Sequence, residues 1–171
     1  MRNRGDRPVP LLAIILIKMK RVVVLGRGAA GKSTASVRLG QITGLPVIEL
    51  DQQFWRPGLT PMPSHEWTQL QQQLAARDRW IMDGDLGPYD APAARLARAD
   101  TVLIFDFSLA RCAWRAARRS RERADFWRWL LTWRYCNRDT VLHAVATFAA
   151  GADVHILRTP RELRRFLSTV D

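Results

Sequence analysis

The chain has 171 residues and a mass of 19.6 kDa, which is enough for one well-buried core and too short for two comfortable domains. Apolar residues make up 47% and charged residues 25%, as in an ordinary globular protein. The formal net charge of +11 favours polyanionic partners, such as nucleotides, phosphorylated metabolites, nucleic acid or an acidic membrane surface.

The cysteine content and the first 18 residues bear on the compartment. Cys112 and Cys136 have no metal-ligand spacing around them, which indicates reduced thiols and a cytoplasmic location. The apolar run LLAIILI near the start is far shorter than the roughly 20 residues that span a bilayer, and no cleavage site follows it. We therefore expect residues 1–18 to be a disordered extension or a misassigned start, without stable membrane insertion. A weak membrane tether is the alternative.

Short β-rich runs alternate with helical patterns, which predicts βα units, a parallel sheet and an α/β fold. The chain shows no repeat or linker, so residues 19–171 are predicted to form one domain. The predicted strands are 21–25, PVIEL before Asp51, RWIMDGD, 101–107 and 153–157. The predicted helices are 32–43, one capped by Ser64, a long one over 109–135, one ending near Gly151 and one from Pro160.

The stretch from Gly26 to Ser33 matches the phosphate-binding pattern G-x-x-x-x-G-K-[ST] after a strand and before a helix. The glycines let backbone N–H groups approach phosphate oxygens, and the N-terminus of the helix adds positive charge. Lys32 is predicted to reach the β- and γ-phosphates of ATP, and the Ser33 hydroxyl to bind Mg²⁺. The predicted nucleotide-binding residues here are Gly26, Gly28, Ala29, Ala30, Gly31, Lys32, Ser33 and Thr34.

Two aspartates at strand ends are alternative candidates for the acid that organises the magnesium shell. Asp83 ends the third predicted strand and Asp106 ends the fourth. In either case a buried strand carries a carboxylate to the edge of the sheet where ligands bind in open α/β folds. The residues alone leave both aspartates open.

Five segments in this order, GRGAAGKST, VIELDQQFWRPG, WIMDGD, ADTVLIFDF and RRSRER, resemble the adenylate-kinase-like P-loop proteins. The similarity is strongest to the branch often labelled DNA topology modulation protein. It implies a P-loop fold of the nucleoside-monophosphate-kinase type, with a five-stranded parallel sheet flanked by helices. It also implies an acceptor-binding insert over about 52–78 and an Arg-rich lid over about 111–128. Through the DG motif it favours Asp83 over Asp106 as the metal-shell acid.

The acceptor side is predicted to lie near Asp51. In the shikimate-kinase-like relatives the corresponding aspartate orients or deprotonates an acceptor hydroxyl, and the resemblance implies that role here. Phe54 and Trp55 either sandwich the acceptor or simply cover the edge of the sheet. Adenylate-kinase-type enzymes carry an arginine after the DG turn, whereas this chain has Asp85. A carboxylate there repels a monophosphate, which favours a neutral or hydroxyl-bearing acceptor, or the absence of an acceptor.

A stripe of basic residues recurs every four positions in the predicted lid, at Arg111, Arg115, Arg119 and Arg123. Like charges at this spacing repel one another, so the stripe is explained by an anion that it clamps, although a solvated basic face is the alternative. Arg115, Arg119 and Arg123 are therefore predicted to act on the transferring phosphoryl group. The tryptophans that follow are interpreted as core or interface packing. By topology, Arg158 is predicted to lie near adenine.

The leading hypothesis is an ATP-dependent phosphotransferase that moves the γ-phosphate of Mg·ATP to a small nucleotide or hydroxyl-bearing acceptor. One alternative is an ATPase or regulator that interacts with DNA, which the charge allows, although no nucleic-acid motif is present. The other is a nucleotide-binding protein that has lost catalysis. The sequence leaves the oligomeric state open.

Overall fold

The computed structural model describes residues 19–119 and 124–171, so the predicted extension over 1–18 lies outside the described residues. The strands are β1 Arg21–Gly26, β2 Val47–Glu49, β3 Trp55–Arg56, β4 Thr60–Pro61, β5 Trp80–Asp83, β6 Thr101–Phe105 and β7 Asp153–Leu157. The helices are α1 Lys32–Thr43, α2 Leu50–Phe54, α3 Ser64–Ala75, α4 Ala93–Leu96, α5 Leu109–Arg119, α6 Ala124–Cys136, α7 Arg138–Phe148 and α8 Pro160–Ser168.

Five strands form one parallel sheet in the order β2-β5-β1-β6-β7, which confirms the predicted sheet. The strand that leads into the glycine-rich loop is therefore central. A separate antiparallel pair, β3 with β4, lies in the insert after β2. Because all five strands are parallel, their carboxyl ends meet at one edge, where the loops after β1, β2 and β5 come together.

Both faces of the sheet are covered, as the nearly continuous apolar strands require. In β1, Val22 and Val24 face a core cluster that includes residues of α1, α5, α6 and α8. Val23 and Leu25 face the opposite cluster, which includes residues of α3, α4 and α7. Packing on both faces and pairing with β5 and β6 therefore fix the position of β1, from which the glycine-rich loop starts.

Three sequence predictions about the elements were wrong in detail. The second strand ends at Glu49, because its partner β5 ends at Asp83 directly opposite, and Leu50 begins helix α2. Helix α3 begins at Ser64 itself, with Pro63 at the cap position and no side-chain cap. The long helix over 109–135 is two helices, α5 and α6, flanking residues 120–123, which lie outside the described part.

The described parts of the predicted lid, 111–119 and 124–128, belong to α5 and α6. The predicted insert over 52–78 contains the end of α2, the β3–β4 pair and α3. Across the described residues, no helix combines the length and the apolarity needed to cross a membrane.

Candidate active site

The loop between β1 and α1 has the backbone that a phosphate cradle requires. Gly26 has a φ of +123°, and a Cβ placed on it would lie 2.4 Å from the backbone oxygen of Phe105 in the neighbouring strand. Only glycine fits this position without displacing β6. Gly31 then takes the left-handed conformation at the cap of α1. The N–H groups of the first turn of this 12-residue helix and its partial positive charge are directed at the loop.

Lys32 folds back over this loop. Its Nζ donates hydrogen bonds to the carbonyl oxygens of Gly26 at 2.7 Å and Arg27 at 3.1 Å. The same nitrogen lies 6.0 Å from the ring centroid of Trp129, which belongs to α6. The ammonium group is thus held between the loop and an aromatic ring, at the edge of the main cavity.

The main cavity has a volume of about 660 Å³ and spans the loop, the insert, the end of β5 and the two lid helices. It is lined by Gly28, Ala29, Gly31, Lys32, Ser33, Thr34, Asp51, Trp55, Leu59, Asp83, Asp85, Leu86, Tyr89, Arg119, Phe126 and Trp129. The structure therefore brings most of the predicted site residues into one space. Gly26 and Ala30 form the loop without lining the cavity.

Asp83 is the acid that β5 delivers to this cavity. It pairs with Val24 of β1, two residues before the glycine-rich loop, and is only 3% exposed. Its Oδ1 is buried and has no hydrogen-bond partner in the protein. Burial raises the pKa of Asp83, while the charge of Lys32 and the hydroxyl of Ser33 act in the opposite direction.

The turn after Asp83 explains the glycine of the DG motif. Gly84 has a φ of +152°, and a Cβ on it would lie 2.9 Å from the Cβ of Leu50. The chain can pass this close to α2 only without a side chain, so the motif brings the end of β5 against the start of the acceptor insert.

Asp51 lies in the first turn of α2, at the solvent-accessible rim of the cavity. The surrounding protein raises the pKa of its carboxyl group by partial desolvation. Lys32 and a hydrogen bond from the Trp55 side chain lower that pKa, and the negative charge of Asp85 raises it. The positive charge of Lys32 lowers the pKa of both carboxyl groups, Asp51 and Asp83, against the effect of burial.

Asp85 is held by two protein donors. Its Oδ1 accepts a hydrogen bond from the backbone N–H of Gly87 at 3.1 Å, and its Oδ2 accepts one from the indole Nε1 of Trp133 at 3.2 Å. The Trp133 ring, fully buried, also stacks under the guanidinium of Arg27, whose Cζ lies 5.3 Å from the ring centroid. Arg27 in turn donates to the carbonyl of Phe107. This series of contacts connects the loop after β5, helix α6 and the phosphate loop.

Asp106, the competing strand-end acid, is already paired. Its Oδ2 accepts a hydrogen bond from Nε of Arg138 at 3.0 Å in a partly buried ion pair, and the residue does not line the main cavity. The geometry therefore favours Asp83 as the acid available to a metal at the nucleotide site.

The basic residues predicted on the lid lie in different places. Arg119 lines the cavity. Arg115 does not, although a Cβ on Gly31 would lie 3.1 Å from its Nη2, so its guanidinium covers the end of the phosphate loop. Arg123 lies outside the described residues. Arg158 follows β7 away from the cavity lining, and its backbone N–H donates to Glu162.

Sequence reasoning missed the aromatic residues of α6. Phe126 and Trp129 line the cavity, and a Cβ on Gly28 would lie 2.3 Å from a ring carbon of Trp129. Their spacing of three residues puts them on one helical face directly after the arginine stripe, and that spacing is the signal that could have revealed them. The packing interpretation holds for Leu130 and Trp133, which are fully buried.

A buried ion pair behind the site was also missed. Arg95 on α4 is fully buried and donates to both carboxylate oxygens of Asp90, to Gln71 and to the carbonyl of Gly84. It therefore anchors the loop that carries Gly84 and Asp85. Nothing in the surrounding sequence, AARLAR, distinguishes this arginine from an exposed one.

The chain is similar to known proteins in its fold, although the sequence comparisons find no match. No protein-family model matches the sequence. No curated protein matches it either. Solved structures do match: shikimate kinase from Acinetobacter baumannii in complex with shikimate aligns with a TM-score of 0.60 at 15% identity, over 92% of this chain and 93% of that one.

A gluconokinase from Sinorhizobium meliloti aligns with a TM-score of 0.54 at 18% identity, over 90% of this chain and 92% of that one. A sugar kinase from a Janibacter species aligns with a TM-score of 0.51 at 19% identity, over 90% and 95%. The chain has the fold of the shikimate-kinase-type P-loop kinases. The predicted kinase-type fold is thereby confirmed, whereas the label of DNA topology modulation stays a prediction.

Proposed function

We propose that the protein is an ATP-dependent phosphotransferase that moves the γ-phosphate of ATP to a small hydroxyl-bearing acceptor. The observation that carries this proposal is the single cavity in which the phosphate loop, Lys32, Asp83 and Asp51 meet. The printed names of the similar structures, a shikimate kinase, a gluconokinase and a sugar kinase, support the same class.

The donor side is built from the loop and the lid. The backbone N–H groups at the start of α1 bind phosphate oxygens, and Lys32 exchanges its two carbonyl contacts for the β- and γ-phosphates. Arg119, and Arg115 over Gly31, stabilise the negative charge that develops on the transferring group.

The residues at the end of β5 fit a magnesium ion. Asp83 offers a buried carboxylate oxygen without a protein partner, beside the hydroxyl of Ser33. Magnesium uses one or two protein ligands and completes its shell with phosphate oxygens and water, so these two residues suffice. Bound there, the ion would neutralise charge on the phosphates.

On the acceptor side, Asp51 is the general base. The acceptor hydroxyl oxygen forms a bond to the γ-phosphorus, the bond from that phosphorus to the leaving oxygen of ADP breaks, and the hydroxyl proton passes to Asp51. The raised pKa of Asp51 brings its proton affinity nearer to neutral pH, as this role requires. Positioning and electrostatics supply most of the rate enhancement, as is usual for phosphoryl transfer.

The deciding experiment is an acceptor screen that follows ADP release with nucleoside monophosphates and hydroxyl metabolites. We expect at least one hydroxyl compound to raise ATP turnover at least about tenfold above the acceptor-free rate, and Lys32→Ala to abolish that increase. Arg38→Ala is the matched control, because Arg38 lies on the same helix and is exposed. If no acceptor raises turnover, the kinase proposal is wrong.

A second candidate, an ATPase that binds nucleic acid, is favoured by one surface. On α5, Trp114 is 59% exposed and Arg118 stacks on its ring, with the guanidinium carbon 4.8 Å from the ring centroid. Stacked arginine and tryptophan on a basic helix suit a phosphate backbone and unstacked bases. ATP turnover that rises with single-stranded DNA, and with no small acceptor, would support this candidate over the first.

A further inference from the structure

Beyond the phosphate loop, the cavity is lined by aromatic and acidic side chains. Trp55 and Tyr89 meet edge to face with their ring centroids 6.0 Å apart. Phe54, only 1% exposed, packs behind both, at 4.9 Å from Trp55 and 5.7 Å from Tyr89. Because the buried ring supports both the half-buried Trp55 and the exposed Tyr89, this wall of the cavity is preorganised.

Two carboxylates face the same space. Asp85 is 8% exposed and is fixed by Gly87 and Trp133, one donor for each oxygen, so each oxygen keeps a lone pair for another donor. Asp51 lies close enough that the charge of Asp85 raises its pKa. Both carboxylates line the main cavity, where they offer hydrogen-bond acceptors and negative charge beside the aromatic wall.

We infer that the acceptor is a polyhydroxyl compound without an anionic group, and that Asp85 determines this specificity. This inference rests on the proposed function and names its substrate class. Hydroxyl groups donate to the two carboxylates, and polarised C–H groups pack on the negative faces of Trp55 and Tyr89. A carboxylate or phosphate on the acceptor is repelled, because like charges in a partly desolvated cavity are strongly unfavourable.

The test uses sets of compounds that share a carbon skeleton: glucose, gluconate and glucose 6-phosphate; ribose, ribonate and ribose 5-phosphate; glycerol, glycerate and glycerol 3-phosphate. Phosphoryl transfer is measured with ATP and magnesium held constant. We expect the best neutral compound to have a kcat/KM at least about tenfold above that of its anionic partners. In Asp85→Asn this ratio should shrink towards one.

Because Asp85 also holds Trp133, a second variant separates charge from structure. Trp133→Phe removes the indole donor and keeps the carboxylate, so the preference for the neutral member should persist even if total activity falls. Discrimination that is lost equally in both variants would show that the shape of the loop, and not the charge of Asp85, sets the specificity, and would overturn the inference.

Equilibrium binding distinguishes a failure of the specificity inference from a failure of the proposed kinase function. The same compounds are titrated by calorimetry onto protein saturated with a non-hydrolysable ATP analogue and magnesium. Faster phosphorylation of the anionic members overturns the inference and leaves the kinase function standing. Selective binding of neutral members without phosphorylation supports the inference and contradicts the kinase function. If no member binds or reacts, the inference is wrong, and the wider acceptor screen described above decides the kinase function.

Discussion

At the scale of single residues, Asp83 combines a functional position with an energetic cost. Its Oδ1 is buried without a hydrogen-bond partner, and burial raises its pKa. A ligand cation would relieve both conditions. The arrangement is therefore unfavourable for the ligand-free protein, as is expected of the magnesium site proposed above.

This arrangement predicts a pH dependence. The folded-state pKa of Asp83 lies above its ordinary value of 3.8. At pH values between the two, the native state keeps a proton that the unfolded chain has lost. The free energy of unfolding therefore falls as the pH rises from the ordinary pKa to the folded-state pKa. Asp83→Asn should remove this component and raise the free energy of unfolding at neutral pH. Urea unfolding across a pH series measures it, and a parallel pH dependence in the two proteins would contradict the assignment.

The same substitution should impair function while it stabilises the fold. We expect Asp83→Asn to lose the difference in ATP affinity between magnesium-containing and magnesium-free solutions, as measured by calorimetry. Asp106→Asn is the control, because Asp106 is occupied by Arg138 and does not line the cavity. Loss of the magnesium effect only in the Asp106 variant would show that Asp106, and not Asp83, organises the magnesium shell.

At the scale of elements, helix α6 is attached to the site through Trp133. Trp133→Phe leaves Oδ2 of Asp85 without its indole donor. This substitution should lower the free energy of unfolding by about 1–3 kcal/mol. The control is Trp114→Phe on the exposed face of α5, for which we expect a change within about 0.5 kcal/mol. Urea unfolding compares the two, and equal effects would argue against the anchoring role.

Helix α4 depends on a buried ion pair. Arg95 is fully buried against Asp90, so Arg95→Met alone should lower the free energy of unfolding by about 3–5 kcal/mol, because it leaves a buried carboxylate unpaired. Combining it with Asp90→Asn should recover part of this loss. For the exposed pair of Arg56 with Glu66, Arg56→Ala should cost less than about 1 kcal/mol. Strictly additive losses in the double variant would contradict the coupling.

At the scale of the whole molecule, nucleotide binding and the basic surface are predicted to be separate. Mg·ATP at about 100 times its Kd should stabilise the fold by about 2.7 kcal/mol, and Lys32→Ala should remove the corresponding rise in Tm.

Any retention on immobilised DNA should fall steeply with salt and be unchanged in Lys32→Ala, since Arg118 and Trp114 lie outside the cavity. Competition between ATP and DNA would place both on one surface.

The sequence alone determined the features that depend on local order along the chain. The glycine pattern and the apolar strands sufficed for the parallel sheet and the loop after β1, because parallel strands deliver their ends to one edge whatever the details of packing. The preference for Asp83 over Asp106 came from the resemblance to the adenylate-kinase-like proteins. Only the tertiary structure decided which side chains meet across that edge. The contact of Trp133 with Asp85 spans 48 positions, and that of Arg27 with Phe107 spans 80.

Such contacts leave no periodic trace in the sequence, since they arise where loops and helices from distant parts of the chain meet at the same edge of the sheet. For that reason Arg95 and Trp129 read as ordinary helical residues, although one anchors the loop after β5 and the other covers the phosphate loop. The donor side of the site is local and could be predicted. On the proposed acceptor side the sequence pointed to Asp51 and Asp85, and only the structure showed that Tyr89 packs against Trp55 and that Trp133 donates to Asp85.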